Sequence, residues 1–242
     1  MNNILGGNAK FTTIQLPEGG SRQFYHRGSP ADVGVIEQMF SEQQYSLQHL
    51  RREKELNSTF KALLSGNKKP LIVDAGANIG ASVVWFASEF PGSHIVAFEP
   101  DPENYELLQA NTSGLDVDLH KAAVGSVDGN VSIVDPGEGH WGYRTVIDEN
   151  GSYKLVSLSQ LIQNKLRLGY APFLIKIDIE GGEDNLFKEA TDWVEQFTIL
   201  IIELHDWLLP KQGTSRNFIK CIAIYDRDFV HIGENIFSIR NS

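Results

Sequence analysis

Two short stretches gather acids and a histidine at spacings that suit proton transfer: Asp178-Ile-Glu180-Gly-Gly-Glu183 and Glu203-Leu-His205-Asp206-Trp207. A carboxylate crowded by like charge holds its proton more tightly, and an imidazole titrates near neutral pH, so either group can take a proton from an acceptor hydroxyl. His205 and Asp178 are the candidate bases, with Glu203 beside them and Glu180 facing the acceptor. The same set has a second use, because Asp178, Glu203 and His205 offer donors that Mg2+ or Mn2+ accepts, and a bound cation lowers a hydroxyl's pKa. Upstream, Asp74-Ala-Gly76-Ala-Asn78-Ile-Gly80 forms a glycine loop, and Glu99 follows nineteen residues after Gly80. Glycine lets the backbone turn sharply and approach a ligand, and an acid at that distance can accept both hydroxyls of a ribose.

The elements that must position these groups alternate in type. Leu71 to Val73 is a short apolar run entering the glycine loop; Ile79, Val83, Phe86, Ala87 and Phe90 then recur at helical spacing until Pro91-Gly92, and His94 to Phe98 closes a βαβ unit. Asp101-Pro102 reads as the capped start of the next helix, and Ser29-Pro30 as another. Phe173 to Asp178 and Thr198 to Glu203 are further buried strands, so both acid stretches leave the carboxyl ends of strands, where open α/β sheets bind ligands. If the backbone stays extended there, Asp178 and Glu180 share one face, as do Glu203 and His205. Val117 to His120 reads as a third strand running into Lys121-Ala-Ala-Val-Gly125, where the small Ala122 and Ala123 leave room for a flat adenine; packing explains them equally well. A hairpin is expected at about 130–148, where His140, Trp141 and Arg144 could grip a sugar, the plain alternative being a solvated hairpin end. Phe229 to Ile232 and Ile236 to Ile239 form a closing antiparallel hairpin.

Bulk properties narrow the classes of function. With 31 acids against 21 bases the chain carries a net charge of -10, a field that repels phosphate backbones, so nucleic acid is not an expected partner. No apolar run reaches the roughly 20 residues of a membrane span, and the first residues have neither a basic region nor an apolar core. Cys221 is the only cysteine, which fits a reducing compartment, and the expected location is cytoplasmic.

The loop spacing discriminates between nucleosides. A dinucleotide fingerprint, G-x-G-x-x-G, admits a pyrophosphate, whereas Asp74-x-Gly76-x-x-x-Gly80 with acids at the strand ends suits the phosphate-free, cationic S-adenosylmethionine. This loop resembles motif I of class I methyltransferases. The ordered set VDAGANIG, AFEPDPENYELL, LIKIDIEGGE and IIELHDW resembles the FkbM family of S-adenosylmethionine-dependent methyltransferases over about residues 70–207, and RGSPADVGVIEQMFSEQQY is similar to the region preceding motif I in that family.

The resemblance implies an α/β, Rossmann-like class I methyltransferase fold, with a mostly parallel seven-stranded sheet over residues 69–242; residues 1–68 read as an N-terminal cap lying over the site, because a βαβ core needs a lid to exclude water. It implies O-methylation of a sugar, glycan or secondary-metabolite hydroxyl, with S-adenosylmethionine held by Asp74, Gly76, Asn78, Gly80, Glu99, Ala122 and Asp178. The departures fall in the His140 loop and the cap, where acceptor choice is expected, and Tyr45 of the cap is assigned to the acceptor. The cap could instead be a packing extension or a dimer arm, leaving a homo-oligomer open. Two other classes compete: an NAD-linked oxidoreductase, which the missing G-x-G-x-x-G opposes, and a non-catalytic nucleoside-binding protein, which the filled positions at Asp178, Glu180, Glu203 and His205 oppose.

Overall fold

The computed structural model describes residues 9–134 and 144–241, except the side chains of Arg144 and Thr145. In chain order, an antiparallel pair, β1 (Lys10–Gln15) and β2 (Ser21–His26), precedes α1 (Pro30–Phe40) and α2 (Glu53–Ser65). The first half of the main sheet follows as β3 (Lys69–Ala75), α3 (Ala81–Glu89), β4 (His94–Phe98), α4 (Pro102–Asn111) and β5 (Val117–His120). A smaller sheet is drawn from β6 (Ala122–Gly125), β7 (Gly129–Val134), β8 (Arg144–Ile147) and β9 (Tyr153–Ser157). The chain then returns through α5 (Leu158–Arg167), β10 (Tyr170–Ile177), α6 (Glu183–Leu186), β11 (Ile199–Glu203), α7 (Arg216–Ile222), β12 (Arg227–Ile232) and β13 (Asn235–Arg240).

The main sheet has seven strands in the order β12-β13-β11-β10-β3-β4-β5. Strands β5, β4, β3, β10 and β11 pair in parallel, while β13 runs antiparallel to both β11 and β12. The mostly parallel sheet with a terminal hairpin is thus present as expected. The strand order reverses between β3 and β10, and a crevice opens beyond the carboxyl ends of strands at such a reversal.

Both faces of the sheet are covered, and successive strand residues alternate between them. Ile72, Ile95, Leu174, Ile199 and Ile201 pack with Val83 and Phe86 of α3 and with Phe24, Met39, Leu47, Leu56 and Phe60 from ahead of the sheet. Val73, Val96, Ile175, Leu200 and Ile202 pack with Leu158, Ile162, Phe218 and Ile222. Each fully buried side chain of this size contributes about 1.5–3 kcal/mol, and Phe60, Phe90 and Phe173 add mutual ring contacts at 5.1–5.2 Å. The segment ahead of the sheet therefore shares its core, although neither β1 nor β2 joins the main sheet. Asn111 of α4 ties the parts together: its Oδ1 accepts from Tyr25 N at 2.7 Å and its Nδ2 donates to Tyr25 O and Ile79 O.

The helix starts follow their local signals. Ser29 accepts from Asp32 N at 3.1 Å and Asp101 from Asn104 N at 2.9 Å, each followed by proline. Two features go further than the expectations. Val117 to His120 forms β5 of the main sheet as expected, and after Lys121 the chain continues as β6 of the smaller sheet, where it pairs in parallel with β9. The hairpin is present as β7 and β8, from Val131↔Ile147 to Val134↔Arg144, but it belongs to a four-stranded sheet because β7 also pairs with β9. Among the described residues, no helix is long and apolar enough to cross a membrane.

Candidate active site

At the end of β3, Asp74 is fully buried, its Oδ2 accepting from Ser82 Oγ at 2.6 Å and its Oδ1 lying 3.3 Å from Lys176 Nζ. Lys176, on the neighbouring β10, donates to Gly76 O at 2.5 Å and lies 3.4 Å from Asp178 Oδ2. Burial opposes the lysine's charge, but Asp74 and Asp178 outweigh it and hold the ammonium above its ordinary pKa. Gly76 has φ 86, and a Cβ there would meet Asp178 O at 1.8 Å. The loop therefore rests directly on the end of β10, an approach open only to glycine.

The far end of the loop is set by Gly80, φ 92, where a Cβ would lie 2.9 Å from Leu108 Cδ1. Between the glycines, Asn78 has φ 48 and donates its N–H to Glu99 Oε2 at 2.8 Å, while Asp101 N donates to Glu99 Oε1 at 2.9 Å. Burial pushes the Glu99 carboxyl up to about 7, against the pull of these two bonds and of the Asn104 side chain. A carboxylate has about four lone-pair directions, so these partners leave one for a ribose hydroxyl. Glu99, Asn78 and the glycines are thus brought together at the ends of β3 and β4, an acceptor-rich cradle that fits a nucleoside. Ala122 and Ala123 are buried, Ala122 in the layer of Val73 and Phe98 and Ala123 against Val131 and Leu155, so their size is used in packing.

The second group centres on His205, in the turn after β11 and 1% exposed. Its Nδ1 lies 2.7 Å from Glu183 Oε1, and Glu183 is fully buried at the start of α6. Its Nε2 faces Asp178 Oδ1 at 3.5 Å, Glu180 Oε2 at 3.5 Å and Glu203 Oε1 at 3.6 Å. Burial opposes a charge on His205, but the bond to Glu183 and the charges of Asp178 and Glu180 push it up to about 9. Burial, with the charge of Asp178, pushes Glu180 up to about 8 and Glu203 up to about 7. Near neutral pH the cluster therefore holds protons as a unit, and its titration belongs to the set, not to the histidine alone.

The acids converge by a different route from the extended one. Strand β10 ends at Ile177, and a left-handed turn at Glu180, φ 49, and Gly181, φ 92, swings Glu180 towards His205. Tyr45 arrives from ahead of the sheet: it is buried, stacks on Phe86 at 5.5 Å and 16°, and lies within the fields of Lys176, Asp178, Asp74 and Glu203. Burial is the main cause that raises its phenol above the usual range. His140 and Trp141 fall outside the described residues, and of Arg144 only the backbone, paired with Val134, is described.

Three contributors escape a reading by motif. Lys176 is one, and its signal is a lysine inside the apolar run Phe173 to Ile177, since a charge buried there needs partners. Glu183 reads as an acid that caps α6, whereas it turns inward to His205. Ser82, on the buried face of α3, bonds Asp74 and carries no distinctive pattern.

Residues 74–232 match the family model of the methyltransferase FkbM domain. The chain belongs to the FkbM methyltransferase family. This FkbM protein is 23% identical over 180 residues to the hexuronic acid methyltransferase AglP of Haloferax volcanii, covering 72% of this chain and 71% of that one. It is 28% identical over 163 residues to Methyltransferase 1 of Beauveria bassiana, 56% of this chain and 64% of that protein. Solved structures of similar outline include the precorrin-6y C5,15-methyltransferase of Geobacter metallireducens, with a TM-score of 0.38 and 12% identity over 78% of this chain and 87% of that chain. Another is the fibrillarin pre-rRNA processing protein of Methanococcus jannaschii, with a TM-score of 0.40 and 10% identity over 71% of this chain and 66% of that one. The FkbM match takes in the glycine loop, Glu99 and the whole His205 cluster, and Tyr45 lies ahead of it.

Proposed function

We propose that this FkbM methyltransferase transfers a methyl group from S-adenosylmethionine to a hydroxyl of a sugar, glycan or secondary metabolite. The observation that supports the reading is the seat of Gly76 on the carbonyl of Asp178, which brings the glycine loop beside the His205 cluster on adjacent strands. S-adenosylmethionine supplies an electrophilic methyl on a cationic sulfur. Glu99 accepts from a ribose hydroxyl, the loop through Asn78 and Gly80 shapes the nucleoside pocket, and Asp74 and Asp178 supply negative charge beside a cationic ligand. The cluster of Asp178, Glu203 and His205, with Glu180, receives the acceptor proton.

Holding the reacting atoms in line is worth up to about 7–11 kcal/mol, and a positioned base about 10²–10⁴-fold. A sugar-type acceptor is supported by the hexuronic acid relative, and a role of the cap at the acceptor is supported by Tyr45, which lies within the fields of Asp178 and Glu203. A cytoplasmic setting agrees with the lone, buried Cys221. A divalent cation is the second way for the same acids to act, favoured by the spacing of Asp178, Glu203 and His205, whose donor atoms lie within 4.8 Å of one another.

Calorimetric titration of S-adenosylmethionine, S-adenosylhomocysteine and NAD into the protein tests the reading. Selective binding of the adenosyl pair, weakened at least tenfold in Glu99→Ala and retained in His205→Ala with slowed transfer, is the expected result. Binding of NAD instead, or unchanged turnover in both variants, would overturn it.

A further inference from the structure

We infer that Asp178, Glu203 and Nε2 of His205 bind one divalent cation of the Mg2+ or Mn2+ class, an inference that rests on the hydroxyl-methylation reading and specifies how its acceptor is held. The three donors come from separate places in the fold, the end of β10, the end of β11 and the turn after it, and lie within 4.8 Å of one another. Two carboxylates with one imidazole and no thiolate form a mainly oxygen donor set, which Mg2+ and Mn2+ accept and thiophilic metals do not require.

His205 supplies the independent observation. It is 1% exposed, and Glu183 takes the proton on its Nδ1 at 2.7 Å, so its other nitrogen is aimed into the acids. There it stands 3.5 Å from Asp178 and Glu180 and 3.6 Å from Glu203. These gaps exceed the roughly 2.7–3.2 Å of an N–H···O bond. Adjacent donors around an octahedral cation with bonds of about 2.1 Å lie about 3 Å apart, so His205 has to close by about 0.5 Å on Asp178 and Glu203, and the set spans at most 4.8 Å. An imidazole whose outer nitrogen is fixed by a carboxylate is also the arrangement that orients a metal-bound histidine.

Charge points the same way. Asp178, Glu180, Glu183 and Glu203 surround one histidine, and the nearby Lys176 is shared with Asp74. Three protein donors leave coordination positions for oxygens of the acceptor, and Glu180 is the remaining carboxylate beside them. In the step, the acceptor O–H bond breaks and its proton passes to Glu180. The O–CH3 bond forms as the S–CH3 bond breaks, and S-adenosylhomocysteine leaves as a neutral thioether.

The test is Mn2+ titration of the full chain followed by electron paramagnetic resonance, with Mg2+ as competitor and circular dichroism to check folding. One Mn2+ per chain, displaced by Mg2+ and bound at least tenfold more weakly by Glu203→Gln and by His205→Ala, is expected. Absence of bound Mn2+ at millimolar concentration, or equal affinity in the wild type and both folded variants, would overturn the site. A parallel titration with S-adenosylhomocysteine, expected to be unaffected by Glu203→Gln, reports separately on the cofactor reading.

Discussion

Glu183 Oε1 lies 2.7 Å from Nδ1 of His205, and both side chains are buried. This bond decides which ring nitrogen faces Asp178, Glu180 and Glu203, and the negative charge of Glu183 is a main reason that, with no cation bound, the imidazole favours its protonated form.

Replacing Glu183 with glutamine keeps its shape and removes that charge. Turnover is expected to fall about 10–100-fold, as for other residues that orient a working histidine, while S-adenosylhomocysteine affinity stays unchanged. The acid limb of the rate profile should move to lower pH, because His205 then releases its proton more readily. A rate loss without this movement would assign Glu183 a purely structural role.

The contact between Gly76 and Asp178 makes a graded prediction. Gly76→Ala combines a positive φ of 86 with a Cβ at 1.8 Å from a carbonyl oxygen, and it should lower stability by about 3 kcal/mol or more. Gly19→Ala, at φ 95 with nothing within 4 Å, should cost only about 1–2 kcal/mol. Urea unfolding midpoints of the two variants measure the difference.

Lys176 is 3% exposed and lies between Asp74 and Asp178. Lys176→Met leaves both carboxylates without their counter-charge, and removal of one partner from such a buried set costs about 3–5 kcal/mol. The double variant Lys176→Met/Asp74→Asn should recover part of that loss, read in the same unfolding experiment.

The pH dependence of stability follows from four groups with one sign. Glu99 and Glu203 are raised to about 7 and Glu180 to about 8, so folding opposes their ionisation and the folded chain loses stability as pH climbs from about 4.5 through those values. His205, raised from 6.5 to about 9, contributes stability that is complete below 6.5 and lost as pH rises through 9. His120, lowered by burial, acts in the opposite sense. The melting temperature of the ligand-free protein should therefore fall between pH 6 and pH 9, and a rise over that range would contradict these environments.

Much of this arrangement is legible in the sequence where the causes are local. The start of α4 needs only Asp101 and Pro102, and the β3-loop-α3 unit only a short apolar run, two glycines and a helical period. The end of β5 at His120 is legible, but the strand β6 is not, because it is defined by its pairing with β9 about thirty residues on, Ala122 opposite Lys154. Glu180 carries no mark of its left-handed backbone apart from the glycine that follows, so the convergence of the acids is readable while its route is not. The inward turn of Glu183 depends on a histidine 22 residues away, and no neighbouring residue announces it.

The missing side chain at Gly76 also bears on how such an enzyme diversifies. Because the donor loop is seated on the backbone of the acid-bearing strand, neither can be re-aimed without displacing the other, and variation in this pair is penalised together. The stretch that delivers Tyr45 meets this unit through side chains, Tyr45 stacking on Phe86. On the proposed reading, a change of acceptor leaves the spacing between the cofactor loop and the acid cluster as it is.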